Sequence, residues 1–265
     1  MITKNQGRCP SMRIISLQSG SNGNCIFVES GETRILFDAG ISGTKAQTRL
    51  AERNIDICTV DALFISHDHS DHSQNMGVLH RKFGISVWTT PPTYTAACEH
   101  HKIGQISSIN YFNSSETLCL KDITIETIRT PHDASDGVFF IIDNGCVRFG
   151  IMTDLGHVTN DLQEAIKSVD ALLLESNYDP ELLRQCDYPE QTKRRIAGNG
   201  GHISNMESAS LLKNCGKRLR WACLGHISEH SNNEQCLTAT HKSVLKGTLP
   251  LYVASRHQCS DILEL

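Results

Sequence analysis

The stretch FISHDHSDH, Phe64 to His72, places three histidines and two aspartates in six consecutive residues directly after an apolar run. Just upstream, VDALFIS reads as an uninterrupted apolar segment, the pattern of a strand buried on both faces. His67 and His69 leave the end of that strand two residues apart, so an extended backbone aims both side chains the same way. Asp71 and His72 follow where HSQNMGVLHRKFG starts to read as a helix closed by Gly84, and they can turn toward a second point. So dense a cluster is costly to fold unless positive charge holds it together. Imidazole nitrogens with few carboxylates are the donor set of zinc, and also of manganese or iron.

Two ions need more ligands than this cluster holds, and later segments offer them. RTPHDASD sets His132 after one strand, MTDLGH sets Asp154 after another, and LGHISEHSN sets His226 after a third. Each alone is an ordinary loop residue. Three strand-end candidates added to the cluster are a ligand set.

The rest of the chain reads as one α/β domain. Residues 1–11 form a loose N-terminal extension and residues 12–265 a single domain, with no low-complexity segment or linker. RIISL, NCIFVES and TRILFDAG are strands, and SGTKAQTRLAERN is a helix with Ser42 as a possible N-cap. The middle, residues 85–149, reads as mainly strands, with Asn144-Gly145 as a hairpin turn. Later helices are expected from His157, through Glu207 and Leu212, and from Asn232. Two segments share an order of strand, Asp-x-Gly turn, helix and Val-Asp-Ala-Leu: ILFDAGIS…VDALF and GIMTDLGHV…VDALL. This echo suggests two related half-sheets face to face, and the fold expected is a four-layer αββα sandwich.

The eleven cysteines include no C-x-x-C pair, which suggests reduced thiols in a cytoplasmic protein. The N-terminus lacks a signal-peptide core and no apolar run approaches a membrane span. A net charge of -4 argues against a nucleic-acid-coating protein, but Arg184 to Arg220 carries +5, leaving -9 for the remainder. That stretch is either a solvated face or a basic wall beside the acidic metal pocket. His80, His100, His101 and His241 are expected at the surface, and His157 starts a helix or supports the site from behind.

The order Asp38 in FDAG, the cluster HDHSDH, His132, Asp154 and His226 resembles the five motifs of the metallo-β-lactamase-fold hydrolases. The resemblance implies one metal on His67, His69 and His132 and a second on Asp71, His72 and His226. Asp154 would bridge them, and Asp38 would orient a ligand from behind. SLQSGSNGNC, LLLESNYDPELL, KRRIAGNGGHISN and LGHISEHSNN are similar to the YycJ/VicX (WalJ)-like subfamily over nearly the whole chain from Met12. That subfamily implies a metal-dependent phosphodiesterase, with DNA exonuclease activity as its biochemical assignment. The chain departs from the pattern in SEHSNN, where His230 stands at a position the subfamily fills differently.

Two metals about 3.5–4 Å apart can share a water, and the bridging hydroxide would be the nucleophile of an in-line phosphoryl displacement. Asp71 would hold it as well as ligate. Donors to the phosphate oxygens are expected in SGSNGN, through Ser19, Ser21 and Asn24, and in GGHISN, through Ser204 and Asn205 at a helix start. Either segment can equally be a plain turn or cap. His202 could bind a phosphate or protonate the leaving oxygen. The substrate expected is nucleic acid, DNA first, or a small phosphodiester. The alternative is a thioester or lactone hydrolase on the same metals, which would need an apolar pocket. A non-catalytic binding protein is disfavoured by the complete ligand set, and a redox di-iron site by the absence of Glu where His69 stands. Only 72 positions separate Asp154 from His226, so no large insertion encloses the site, as suits an exonuclease acting on ends.

Overall fold

Alternating side chains decide how the strands pack. In Thr33–Phe37, Ile35 and Phe37 face one apolar cluster while Leu36 faces another, so the strand is buried on both sides. The same parity recurs in Ala171–Glu175, where Ala171 and Leu173 point one way and Leu172 and Leu174 the other. Strands of this kind form the middle layers of a stack. The computed structural model describes residues 10–265. The extension expected at residues 1–11 therefore lies largely outside the described residues.

Two seven-stranded sheets face each other. The first holds β1 (Met12–Gln18), β2 (Cys25–Ser30), β3 (Thr33–Phe37), β4 (Ala62–Phe64), β5 (Ser86–Thr89) and β6 (Ile109–Tyr111) in sequence order. The second runs from β7 (Thr117–Leu120) through β8 (Ile123–Arg129), β9 (Val138–Asp143), β10 (Arg148–Met152), β11 (Ala171–Glu175) and β12 (Trp221–Gly225) to β13 (Leu251–Val253). The short β14 (Leu263–Glu264) returns to pair with β1. Phe37, Phe64 and Phe140 meet across the seam, with ring centroids 5.0–6.1 Å apart. Helices cover the outer faces, completing the expected αββα sandwich.

The internal echo has a structural cause. β3 pairs in parallel with β4, and β10 pairs in parallel with β11. In each pair the Asp of Val-Asp-Ala-Leu takes the backbone N–H at the start of the neighbouring strand: Asp61 from Arg34 at 3.0 Å, Asp170 from Arg148 at 2.8 Å. Each Asp N–H is returned to the same arginine's carbonyl. The repeated tetrapeptide thus pins the register of two equivalent strand pairs.

Ser42 caps the helix Gly43–Ala51 by accepting from Lys45 N, and Gly84 closes Met76–Phe83 at φ 74°. The helix expected from His157 starts at Asn160 behind the Thr159 cap. The middle region is not all strand: Pro91–His100 is a helix, capped by Thr90 with proline in its first turn. His80 and His241 are buried rather than exposed, because each imidazole finds partners indoors, His80 on Ile85 O and Ser107, His241 on Leu237 O and Ser208. Nine of the described cysteines are free thiols, whereas Cys146 is disulfide-bonded, which corrects the expectation of uniformly reduced thiols.

Candidate metal centre

The parallel strands bring their carboxyl ends to one end of the sandwich. Asp38 follows β3, the histidine cluster follows β4, His132 follows β8, Asp154 follows β10 and His226 follows β12. Loops beyond strand carboxyl ends are where open sheets place ligands. Asp38, Asp154 and His226 sit at φ 65°, 58° and 52°, a left-handed conformation that costs a non-glycine residue about 1–2 kcal/mol. Each turns the chain sharply off its strand and keeps the side chain in the seam. Gly40 admits the cluster loop: a Cβ there would lie 1.7 Å from Asp71 O.

Among the described residues, four overlapping groups of side chains can converge on one point, two of them centred on Asp154 with His67 and His72 or with Glu175, His202 and His226, and the other two sharing no residue with each other. Ligand atoms of His67, His69 and His132 lie within 4.8 Å of one another, as do those of Asp71, His72 and His226. Asp154 stands between them, its Oδ2 3.1 Å from His72 Nε2 and its Oδ1 3.5 Å from His132 Nε2 and 3.6 Å from His226 Nε2.

On His67, His72, His132 and His226 the other nitrogen is fixed from behind, leaving Nε2 for the centre, whereas His69 turns Nδ1 to within 3.2 Å of His132 Nε2. His72 Nδ1 bonds Asp38 Oδ2 at 2.7 Å, and Asp38 is itself held by Ser66 N and Ser66 Oγ. His132 Nδ1 donates to Gly201 O at 2.8 Å, and His226 Nδ1 to Glu175 Oε1 at 2.9 Å. His67 Nδ1 meets Ser66 Oγ at 2.9 Å.

Glu175 is a functional residue that the sequence reading passed over. It ends β11 and is fully buried. Its Oε1 accepts from both His226 Nδ1 and His202 Nδ1, the latter at 2.8 Å, and its Oε2 accepts from Leu155 N and Ile203 N. The available signal was an acid closing an otherwise apolar strand, ALLLE.

The donor set fits divalent cations. His67 Nε2 and Asp154 Oδ2 are buried without a hydrogen-bond partner, an arrangement that native proteins avoid unless another group completes it. Burial, then the neighbouring His72 charge, drives His67 well below the usual histidine range, and burial first also lowers His132, so both offer lone pairs. Burial would push Asp154 up, but His226, His72 and His67 hold it well below the carboxylate range. Burial likewise opposes protonation of His226, yet Asp154, Asp71 and Glu175 outweigh it and raise its pKa to about 10. The field at the centre is negative and built for positive charge.

Above the ligands opens a cavity of about 530 Å³. Ser21, Tyr188, Arg195 and His202 line it, with His100 and His101 opposite. The other expected substrate groups do not line it. Ser19 Oγ accepts from His226 N, the buried Asn24 amide binds Gly20 and Asp71, Ser204 forms a capping box with Glu207, and Asn205 lies in a buried network with Ser176 and Asn232. They shape the loops. Of the Lys and Arg in the basic stretch Arg195 alone lines the cavity, and it too is paired, with Asp133, as Arg184, Lys193 and Arg218 are with Glu181, Glu190 and Asp170. Among the described residues no helix is long and apolar enough to cross a membrane.

Residues 33–227 match the beta-lactamase superfamily domain. The exodeoxyribonuclease WalJ of Streptococcus pneumoniae serotype 2 is 34% identical over 219 residues, 82% of this chain and 81% of that protein. The exodeoxyribonuclease YycJ of Bacillus anthracis is 31% identical over 233 residues, 87% of this chain and 88% of that protein. Among solved structures, the metallo-beta-lactamase fold protein YhfI of Bacillus subtilis superposes with a TM-score of 0.72 at 17% identity, over 96% of this chain and 100% of that one.

Proposed function

The chain belongs to the beta-lactamase superfamily and, within it, to the group of WalJ and YycJ, and from that premise we propose that it is a metal-dependent phosphodiesterase that degrades nucleic acid, DNA first, from an end. The observation that carries this reading is the pair of three-ligand groups meeting at Asp154 in a chain 34% identical to an exodeoxyribonuclease. Residues 12–265 act as one hydrolase domain, and location in the cytoplasm completes the reading.

His67, His69 and His132 would hold one ion and Asp71, His72 and His226 the other, with Asp154 standing between them. Zinc suits these donors best, and manganese or iron suits them too. When bound, the ions supply Lewis acidity toward a phosphoryl group and lower the pKa of water at the site. Asp38, Glu175 and Gly201 keep the imidazoles oriented, so the geometry exists before substrate arrives. Asp71 accepts a hydrogen bond from the attacking water and sets its direction. His202 has Nδ1 committed to Glu175, so Nε2 is the atom that donates a proton to the leaving oxygen. Arg195 meets a non-bridging phosphate oxygen from the cavity wall. An acyl substrate would want an apolar pocket, and only Tyr188 and Ile196 among the lining residues are not polar or charged outright.

The test is hydrolysis of bis(p-nitrophenyl) phosphate, lactones and thioesters by protein reloaded with zinc or manganese. Phosphodiester turnover that disappears in His67→Ala, followed by shortening of end-labelled DNA, is expected. Turnover of the acyl substrates alone would overturn the reading.

A further inference from the structure

One aromatic residue of the cavity has no place in the chemistry above, Tyr188, and against it stands the exposed His230 that departs from the subfamily pattern. Tyr188 lies between the helices Pro180–Gln185 and Glu190–Ile196. It packs on a small apolar cluster of Tyr178, Leu183 and Ile196, separate from the sandwich cores. The His230 ring meets it edge-on, with centroids 5.2 Å apart and planes at 79°. Ser228, whose Oγ accepts from Ser231 N and Ser231 Oγ, lines the same cavity. The ring is thus packed by the apolar cluster and along one edge, and Tyr188 is among the residues lining the cavity.

Arg195 completes the wall. Its Nε and Nη2 form a fork on Asp133 at 2.6 and 2.8 Å, and Nη1 takes no part in that pair. Asp133 follows His132 directly, so the guanidinium is tied to the metal loop. An aromatic ring and a cation lining one cavity are the pairing that single-stranded nucleic acid needs, a surface for the base and a charge for the phosphate. Stacking is tolerant of base identity, and a cavity of about 530 Å³ suits one or two nucleotides rather than a stacked duplex end.

We propose that Tyr188, packed on its apolar cluster and met edge-on by His230, is the platform on which the terminal nucleobase of an unpaired strand stacks, with Arg195 on the neighbouring phosphate. The proposal rests on the nuclease reading. It makes the enzyme tolerant of base identity but dependent on a base being present, and it makes a frayed or single-stranded end the preferred substrate.

The experiment compares metal-loaded wild type, Tyr188→Ala and Tyr188→Phe on single-stranded DNA whose degraded end carries either a normal nucleotide or a tetrahydrofuran abasic one. Wild type should show a KM roughly 5- to 150-fold lower for the normal end, the factor expected from stacking one base. Tyr188→Ala should lose that preference and Tyr188→Phe should keep it. A wild type without preference, or a Tyr188→Ala that retains it, overturns the platform while the nuclease reading stands. A wild type that degrades neither strand yet hydrolyses small esters overturns both. Should Tyr188→Ala fail to fold, 2-aminopurine at the terminal position of the wild-type complex decides: its fluorescence should be quenched on binding, and unquenched binding overturns the proposal.

Discussion

Glu175→Gln tests the centre more sharply than removal of a ligand, because on the proposed assignment it changes none of the ligands. The carboxylate accepts four hydrogen bonds: two imidazole N–H groups on Oε1 and two backbone N–H groups on Oε2. A glutamine offers only one oxygen. The backbone donors cannot rotate away, so that oxygen turns to Leu155 and Ile203 and the NH₂ faces both imidazoles. Each ring must then present a lone pair at Nδ1 and carry its proton on Nε2. For His226 that proton occupies the atom lying 3.4 Å from Asp71 and 3.6 Å from Asp154, the one that should bind the ion. A hydrogen bond to a charged group is worth about 1.5–3 kcal/mol. Restoring the ligating tautomer sacrifices one such bond, so affinity for the second ion should fall roughly 10- to 100-fold. Competition against a chelating dye measures the two dissociation constants separately, and the first site should change little. At saturating metal, kcat should remain depressed about 100-fold or more, because His202 has lost the same partner. A second-site constant within twofold of wild type would show that Glu175 does not orient His226.

Two further outcomes follow from charges away from the ligands. Arg195→Ala should raise KM on every DNA end alike and reduce the slope of log KM against log salt by about 0.7, the value for one phosphate contact on a single strand, as salt titration of the variant would show. Asp170 is held below the usual carboxylate value of 3.8, burial opposing and Arg218 with the Arg148 N–H outweighing it. A depressed carboxylate stabilises the fold fully above its unfolded pKa and loses the effect as pH falls through the folded one. Asp170→Asn should therefore lower Tm by about 2–4 °C at pH 5–8, for about 1 kcal/mol after discounting the half-exposed Arg218, and the gap should close below pH 4. A gap that widens on acidification would reverse the assignment.

The proposed ligands were legible because each follows a strand end and carries its chemistry in its residue type. The cluster Phe64–His72 states both the strand and the donors in one stretch. Glu175 was not legible, since its meaning depends on His202 and His226, 27 and 51 residues further on. The Val-Asp-Ala-Leu echo was visible as a pattern, but its reason required seeing Asp61 and Asp170 reach to adjacent strands. Ser204 shows the reverse case: Ser204 and Glu207 spell a capping box, and local backbone geometry claims the hydroxyl before any substrate can. The helix Pro91–His100 went unread because aromatic and β-branched residues surround it, although Thr90 with two prolines was the start signal.

The ligands divide between the sheets. His67, His69, Asp71 and His72 come from the loop after β4, and His132, Asp154 and His226 from the ends of β8, β10 and β12. A loaded centre is therefore a clasp across the seam as well as a reagent. Each ion at about 100 times its dissociation constant adds about 2.7 kcal/mol to the folded state, comparable to burying a large apolar side chain. On the proposed assignment, metal would therefore add to resistance against unfolding as well as to catalysis.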